Sequence, residues 1–121
     1  MNAPSLTMTP LTDLQRSCAA FVNDEHSMNV INAVLTDHGW TSERVIQGGI
    51  SQAVKQLAVE ASPEFLIIDL GSSREVRADI NALAEVVEPG TIVLAIGEVN
   101  DVSLYRDLLA SGLHDYLLKP I

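Results

Sequence analysis

The stretch PEFLIIDL, residues 63–70, decides the fold of this chain. Phe65 to Ile68 form a continuous apolar run of the kind found in a strand that is buried on both faces, and the run ends at Asp69. Pro63, just before the run, breaks any helix that precedes it. We therefore predict a central parallel strand that ends in a carboxylate.

Short apolar runs alternate with segments of helical period on both sides of this strand. The other predicted strands lie at Ser17–Val22, around Val45 and Ile46, at Ile92–Ile96 and at Tyr116–Leu118. Between the strands, four helices are predicted from apolar residues at helical spacing. Their apolar faces are Met28, Ile31, Val34 and Leu35; Ile50, Val54, Leu57 and Ala58; Val76, Ile80, Leu83, Ala84 and Val87; and Val102, Tyr105, Leu108 and Leu109.

This alternation predicts an α/β fold, a doubly wound five-stranded parallel sheet. Strands that are separated by single helices run parallel with right-handed crossovers, and ligands of such sheets bind at the carboxyl ends of the strands. Asp24 follows the first strand, Asp69 the third and Lys119 the fifth. We therefore expect these three side chains to meet at one edge of the sheet.

Composition limits the partners of the chain. Its 121 residues predict one domain, which we place at residues 15–121 after a flexible leader at residues 1–14. Sixteen acidic residues against seven basic ones give a net charge of -9, which argues against binding to nucleic acid or to an anionic membrane. No segment has the length of a signal peptide or a membrane span, so we expect a cytoplasmic protein without membrane insertion.

Three sequence motifs resemble those of response-regulator receiver domains. The acidic segment Asn23-Asp24-Glu25 follows strand one, Asp69 ends PEFLIIDL, and Lys119 lies in DYLLKP, residues 115–120. The resemblance extends from about residue 17 to the end of the chain. It implies a flavodoxin-like or CheY-like fold with strand order 2-1-3-4-5. The fifth helix of that fold is missing from this chain.

The same resemblance implies a role for each site residue. Asp69 occupies the phosphoacceptor position and Lys119 the position that contacts the phosphate, while Asp24 and Asp69 are candidate ligands of Mg²⁺. Asn23 replaces a second acid and weakens that metal site, because an amide carbonyl contributes no charge. Gly97 replaces the Ser or Thr that binds the phosphoryl group. Glu98, which follows it, would repel a phosphoryl group if its side chain pointed inward.

A narrower resemblance covers residues 88–120. This segment is similar to the atypical receiver domain of CpaE/TadZ pilus-assembly proteins, in which the receiver domain precedes a ParA/MinD-like ATPase domain and acts through protein contacts near a cell pole. The chain contains no GxxxxGK[ST] phosphate loop, so we expect no nucleotide in it. Tyr105 and Tyr116 are candidates for an interaction surface, although Tyr116 is also compatible with packing at the rim of the sheet.

These observations favour a non-enzymatic, receiver-like interaction domain of the pilus-assembly type that is degenerate in phosphorylation. The alternative is an active receiver in a two-component phosphorelay, phosphorylated on Asp69 with Mg²⁺. The expected partners are other proteins, either pilus-assembly and secretion components or a histidine kinase, with a homodimer as a further possibility. A flavin-binding protein and a carboxylate hydrolase are disfavoured, because the loop after strand one is acidic and no second catalytic motif is present.

Overall fold

The five strands form one parallel sheet, and their order across the sheet, numbered along the chain, is 2-1-3-4-5. The computed structural model describes residues 17–39 and 42–121; the leader predicted at residues 1–14 lies outside them. The strands are β1 (Ser17–Val22), β2 (Ser42–Gln47), β3 (Phe65–Asp69), β4 (Ile92–Gly97) and β5 (Asp115–Leu118). The doubly wound, CheY-like α/β fold that the sequence predicts is therefore confirmed.

Four helices connect these strands within the described residues. They are α1 (Glu25–Asp37), α2 (Ile50–Leu57), α3 (Val76–Val86) and α4 (Val102–Ala110). Asp24 caps α1 by accepting a hydrogen bond from the backbone N–H of Ser27, and Asp101 caps α4 by accepting from those of Ser103 and Leu104. In the described ranges the longest helix is α1, at 13 residues, and none has the length and apolar character that a bilayer span requires.

The sheet separates two apolar clusters. On one face, alternate residues such as Phe21, Leu66 and Ile68 pack beneath α2, α3 and α4. On the other face, Cys18, Ala20 and Val22 pack beneath α1. β1 is buried on both faces, whereas β3 is buried on the face beneath α2, α3 and α4 and partly buried on the other, so both sequences read as continuous apolar runs rather than as alternating ones.

The apolar faces predicted for all four helices are partly wrong, since Ala58 after the second helix and Ala84 in the third are exposed, and the first and fourth helices also depart from their predicted faces. Leu104 and Leu108 are the buried residues of α4, whereas Val102 is 66% exposed and Tyr105 is 39% exposed. Similarly, Val34 of α1 is on the solvent side, 49% exposed. In α4, apolar residues lie on more than one side of a short helix, so more than one apolar stripe has helical spacing. Which stripe is buried depends on contact with the sheet.

Candidate functional site

Asp24, Asp69 and Lys119 meet at the carboxyl edge of the sheet, as their positions after β1, β3 and β5 predict. The ammonium nitrogen of Lys119 lies 2.6 Å from Oδ2 of Asp69 and 2.6 Å from Oδ1 of Asp24. Lys119 is 50 residues from Asp69 in the sequence and 95 residues from Asp24. One cation thus links two carboxylates that come from different strand ends.

The Asp69 carboxylate is fully buried and fully hydrogen bonded. Its side chain has no exposed surface. Oδ1 accepts from the backbone N–H of Gly71 at 2.8 Å, and Oδ2 accepts from the backbone N–H of Asn23 at 2.9 Å as well as from Lys119. A buried carboxylate is tolerated when a counter-charge and hydrogen bonds replace its lost hydration, and these three donors provide both.

Asp24 has two functions at once, since it caps α1 and pairs with Lys119. Its Oδ2 accepts from the Ser27 N–H at 2.8 Å, and its Oδ1 accepts from the Ser27 hydroxyl at 3.0 Å and from Lys119. Hydrogen bonds from Lys119 and from the Ser27 backbone lower the pKa of Asp24 from 3.8 to about 2. Burial acts to lower the pKa of Lys119, but its bonds to Asp24 and Asp69 outweigh burial and raise that pKa.

Two glycines let the backbone pack closely around this cluster. A Cβ atom on Gly49 would lie 2.8 Å from the carbonyl oxygen of Asp69 and 2.9 Å from the side-chain nitrogen of Asn23. A Cβ atom on Gly71 would lie 3.0 Å from Oδ1 of Asp69. In the sequence, Gly48-Gly49 indicates a turn before the second helix but does not indicate that Gly49 packs against the Asp69 site. The available signal for this close packing was a glycine directly before the helix of a βα unit.

A cleft of about 620 Å³ opens beside the cluster. Asn23, Asp24, Ser72, Glu98 and Lys119 are among the residues that line it. Glu98 therefore stands on the wall of the cleft, although its side chain is largely exposed to solvent. Its carboxylate adds negative charge at the mouth of a site that already contains Asp24, which disfavours entry of an anion.

The residues of the cluster, as arranged, do not fit the Mg²⁺ ion that the receiver resemblance implies. Mg²⁺ binds through one or two carboxylates and keeps several waters, so it needs space between carboxylates that no other cation neutralises. Here each of the four carboxylate oxygens of Asp24 and Asp69 already accepts a hydrogen bond, and Lys119 is the cation between them. In the described part of the chain, no group of three or more His, Cys, Asp or Glu side chains could hold a metal ion.

Tyr116 occupies the space beside Gly97. A Cβ atom on Gly97 would lie 2.8 Å from the hydroxyl oxygen of Tyr116 and 3.1 Å from its Cε1. The Tyr116 hydroxyl donates to the carbonyl of Val99 at 2.9 Å, and only 7% of the residue is exposed. Of the two interpretations of Tyr116, packing at the rim fits this burial. Tyr105, by contrast, lies at the surface, and its hydroxyl is 3.4 Å from Oδ1 of Asp115.

Solved structures with the same fold include two pilus-assembly proteins. The CpaE2 pilus assembly protein of Sinorhizobium meliloti 1021 is 29% identical, with a TM-score of 0.80 over 87% of this chain and 88% of that one. The pilus assembly protein CpaE of Caulobacter crescentus CB15 is 27% identical, with a TM-score of 0.79 over 87% of this chain and 82% of that one.

More distant structures show the fold alone. A response regulator of Burkholderia pseudomallei, solved with a phosphorylated aspartic acid, a calcium ion and citrate, is 19% identical, with a TM-score of 0.65 over 87% of this chain and 61% of that one. No protein-family model matches the chain, and no curated protein matches it. The similarity of this chain to receiver domains and to CpaE is thus supported by solved structures and not by a match to a protein-family model.

Proposed function

We propose that this chain, which is similar in fold to the CpaE pilus-assembly proteins, is a receiver-type protein-interaction domain of the pilus-assembly type. In this proposal its Asp69 site stabilises the fold and does not take part in signalling. The domain turns over no substrate, and it reaches its place in the cell, a pole, by recruitment through other proteins.

The burial of Asp69 is the observation that carries this proposal. A phosphoacceptor must present an oxygen to a phosphodonor, but Asp69 has no exposed surface and both of its oxygens are engaged by donors from this chain. Gly97 adds to the argument, since it offers no hydroxyl to a phosphoryl group and its side-chain space is filled by Tyr116.

An exposed apolar surface at one end of the sheet is the proposed contact region. We define the Tyr105 surface as Val99, Val102, Tyr105 and Leu118, which are 54%, 66%, 39% and 40% exposed. These residues line a groove of about 250 Å³. Clustered apolar side chains that face solvent are typical of protein contact sites.

The charge around this surface indicates the chemistry of its partner. Glu98, Asp101 and Asp115 lie in or beside the segments that form the Tyr105 surface, and the chain as a whole carries a net charge of -9. A second copy of the chain would bring the same acids into opposition, whereas a partner with basic residues around an apolar segment would complement them. We propose such a basic, apolar protein segment as the occupant.

Localisation in cells that produce the protein tests the interaction. A fluorescent fusion is expected to form a polar focus, and Val102→Glu is expected to disperse it. Gln52→Glu is the matched control, because it adds the same charge at an exposed position of α2 and is expected to keep the focus. Asp69→Asn is also expected to keep it. A focus that survives Val102→Glu would refute the proposal, and so would a focus that is lost with Asp69→Asn in a protein that is as folded and as abundant as the unaltered one.

An active phosphoacceptor receiver remains the second candidate, favoured by the cleft that opens beside Lys119. It would require Asp24 and Asp69 to bind Mg²⁺ and Asp69 to accept a phosphoryl group. Intact-mass spectrometry after treatment with acetyl phosphate and Mg²⁺ separates the two functions. We expect no gain of a phosphoryl group; a Mg²⁺-dependent gain that disappears in Asp69→Asn would establish the second candidate instead.

A further inference from the structure

Tyr116 connects β5 to the loop between β4 and α4, and this loop carries part of the Tyr105 surface. We infer that Gly97 and Tyr116 form a matched pair that holds the Tyr105 surface in one conformation without input from the Asp69 site. This inference rests on the proposed function, and it concerns how the proposed contact surface is kept ready for its partner.

Space, rather than backbone conformation, accounts for the glycine at residue 97. The glycines with a positive φ in the described residues are Gly39, Gly48, Gly90 and Gly112. Gly97 is not among them, so another residue could adopt its backbone conformation. The obstacle is Tyr116, because a separation of 2.8 Å between its hydroxyl oxygen and a Cβ atom is shorter than van der Waals contact allows.

The position of the Tyr116 ring determines the position of the loop. Its hydroxyl donates to the carbonyl of Val99 at 2.9 Å. Val99 is itself part of the Tyr105 surface, and Asp101, two residues later, caps the helix that presents Val102 and Tyr105. A ring displaced from its place would release the Val99 carbonyl, and the start of α4 would lose a fixed anchor.

The side-chain bonds of Tyr116 are separate from those of the Asp69 cluster. The Tyr116 hydroxyl bonds to Val99, whereas the donors to Asp69 come from Asn23, Gly71 and Lys119. Within the described residues, no side-chain hydrogen bond joins the two sets. Lys119, which pairs with Asp69, donates its backbone N–H to the Gly97 carbonyl at 2.8 Å, so the two sets are joined through the backbone of β4 and β5 rather than through side chains. Steric fit at residue 97 is therefore the main side-chain constraint on the Tyr116 ring.

Backbone NMR of three variants tests this inference. Gly97→Ala is expected to displace the ring and to shift the amide signals of residues 99–105, whereas Asp69→Asn is expected to leave those signals in place. Tyr116→Phe keeps the ring and removes only the hydroxyl, so it is expected to shift mainly the signals near Val99. The inference fails if Gly97→Ala leaves residues 99–105 unchanged, or if Asp69→Asn moves them as Gly97→Ala does.

A spectroscopic titration follows the ring directly. The chain has two tyrosines, so in a Tyr105→Phe background the tyrosinate absorbance reports Tyr116 alone. Burial raises the pKa of Tyr116 above its usual 10.0. Gly97→Ala is expected to lower this pKa toward 10.0 by exposing the hydroxyl. An unchanged pKa in a folded Gly97→Ala protein would overturn the inference.

A double-variant comparison keeps the test valid if Gly97→Ala folds poorly. In a Tyr116→Leu background the ring is gone, so Gly97→Ala is expected to cause little loss of stability, compared with a clear loss beside Tyr116. Equal losses in both backgrounds would contradict the matched pair. None of these measurements depends on polar localisation, so failure of this inference and failure of the proposed function can be told apart.

Discussion

Lys119 and Asp69 form a buried ion pair at 2.6 Å, with side chains that are 11% and 0% exposed. The pair joins the end of β5 to the end of β3, with β4 between them. Because Lys119 also reaches Asp24 at the end of β1, one ammonium group ties together the carboxyl ends of three of the five strands.

Replacing Lys119 with Met is expected to reduce the free energy of unfolding by about 3 kcal/mol or more, because the buried Asp69 carboxylate would lose its counter-charge. Met retains much of the apolar stem, so the loss reports the charge. Chemical denaturation monitored by circular dichroism measures it. Arg77→Met is the control: its ion pair with Asp107 is 2.7 Å long but largely exposed, and the expected loss is below about 1 kcal/mol.

The outcome of this comparison separates a structural ion pair from a dispensable one. Equal losses for Lys119→Met and Arg77→Met would mean that Asp69 is neutralised in another way, and that Lys119 is not what holds the strand ends together.

The close packing around Gly49 at the site gives a second prediction. Gly49→Ala is expected to destabilise the protein by about 1–3 kcal/mol, because the new methyl group would meet the backbone oxygen of Asp69, which cannot swing aside as a side chain can. Ser51→Ala, at an exposed position two residues later, is expected to change stability by less than about 0.5 kcal/mol. Thermal unfolding of both variants checks this, and a neutral Gly49→Ala would contradict the packing argument.

The fold was predictable because its signal is repeated along the chain. A strand buried on both faces must be apolar throughout, as Phe65 to Ile68 are, and an intervening helix requires parallel pairing. From these two constraints the meeting of Asp24, Asp69 and Lys119 at one edge follows without any coordinates. The sequence thus determines which strand each of these residues follows, and therefore at which end of the sheet it lies.

Contacts across the fold were not predictable in the same way. Spacing alone does not show that Leu104 rather than Val102 faces the sheet, since both lie in apolar stripes of α4. Nor does a glycine at residue 97 reveal that Tyr116, 19 positions later, fills the space beside it. Such information depends on how β4 and β5 lie side by side, with Gly97 paired to Leu118.

Divalent cations provide a third prediction. Mg²⁺ at millimolar concentration is expected to leave the unfolding midpoint of the unaltered protein unchanged, because Lys119 already neutralises Asp24 and Asp69. In Lys119→Met these carboxylates lack a cation, so Mg²⁺ is expected to bind the folded state and raise the midpoint. Denaturation with and without Mg²⁺, at matched ionic strength, measures the difference.

The matched control for the cation experiment removes a metal ligand as well as the lysine. Lys119→Met combined with Asp24→Asn retains only one of the two carboxylates that Lys119 bridges, and Mg²⁺ is expected to stabilise it less. Stabilisation of the unaltered protein by Mg²⁺ would show that a metal can displace Lys119. It would contradict the conclusion that the cluster, as arranged, does not fit Mg²⁺.

Acid stability tests the role of Asp24. Its pKa in the folded protein, about 2, is below the usual 3.8, so the unfolded chain takes up protons first as the pH falls. The stabilisation by ionised Asp24 is therefore present above about pH 4 and is lost as the pH falls toward 2. Because the side chain is 41% exposed, we expect solvent screening to limit the contribution to about 1 kcal/mol.

Asp24→Asn is the informative variant, because Asn also caps helices but has no proton to gain. Its free energy of unfolding is expected to be lower than that of the unaltered protein at pH 6 and to fall less steeply between pH 4 and pH 2, so that the two curves converge in acid. Urea denaturation at fixed pH values measures both curves. Parallel curves would mean that neither Lys119 nor the Ser27 N–H favours the ionised form of Asp24, which would contradict the lowered pKa of this carboxyl.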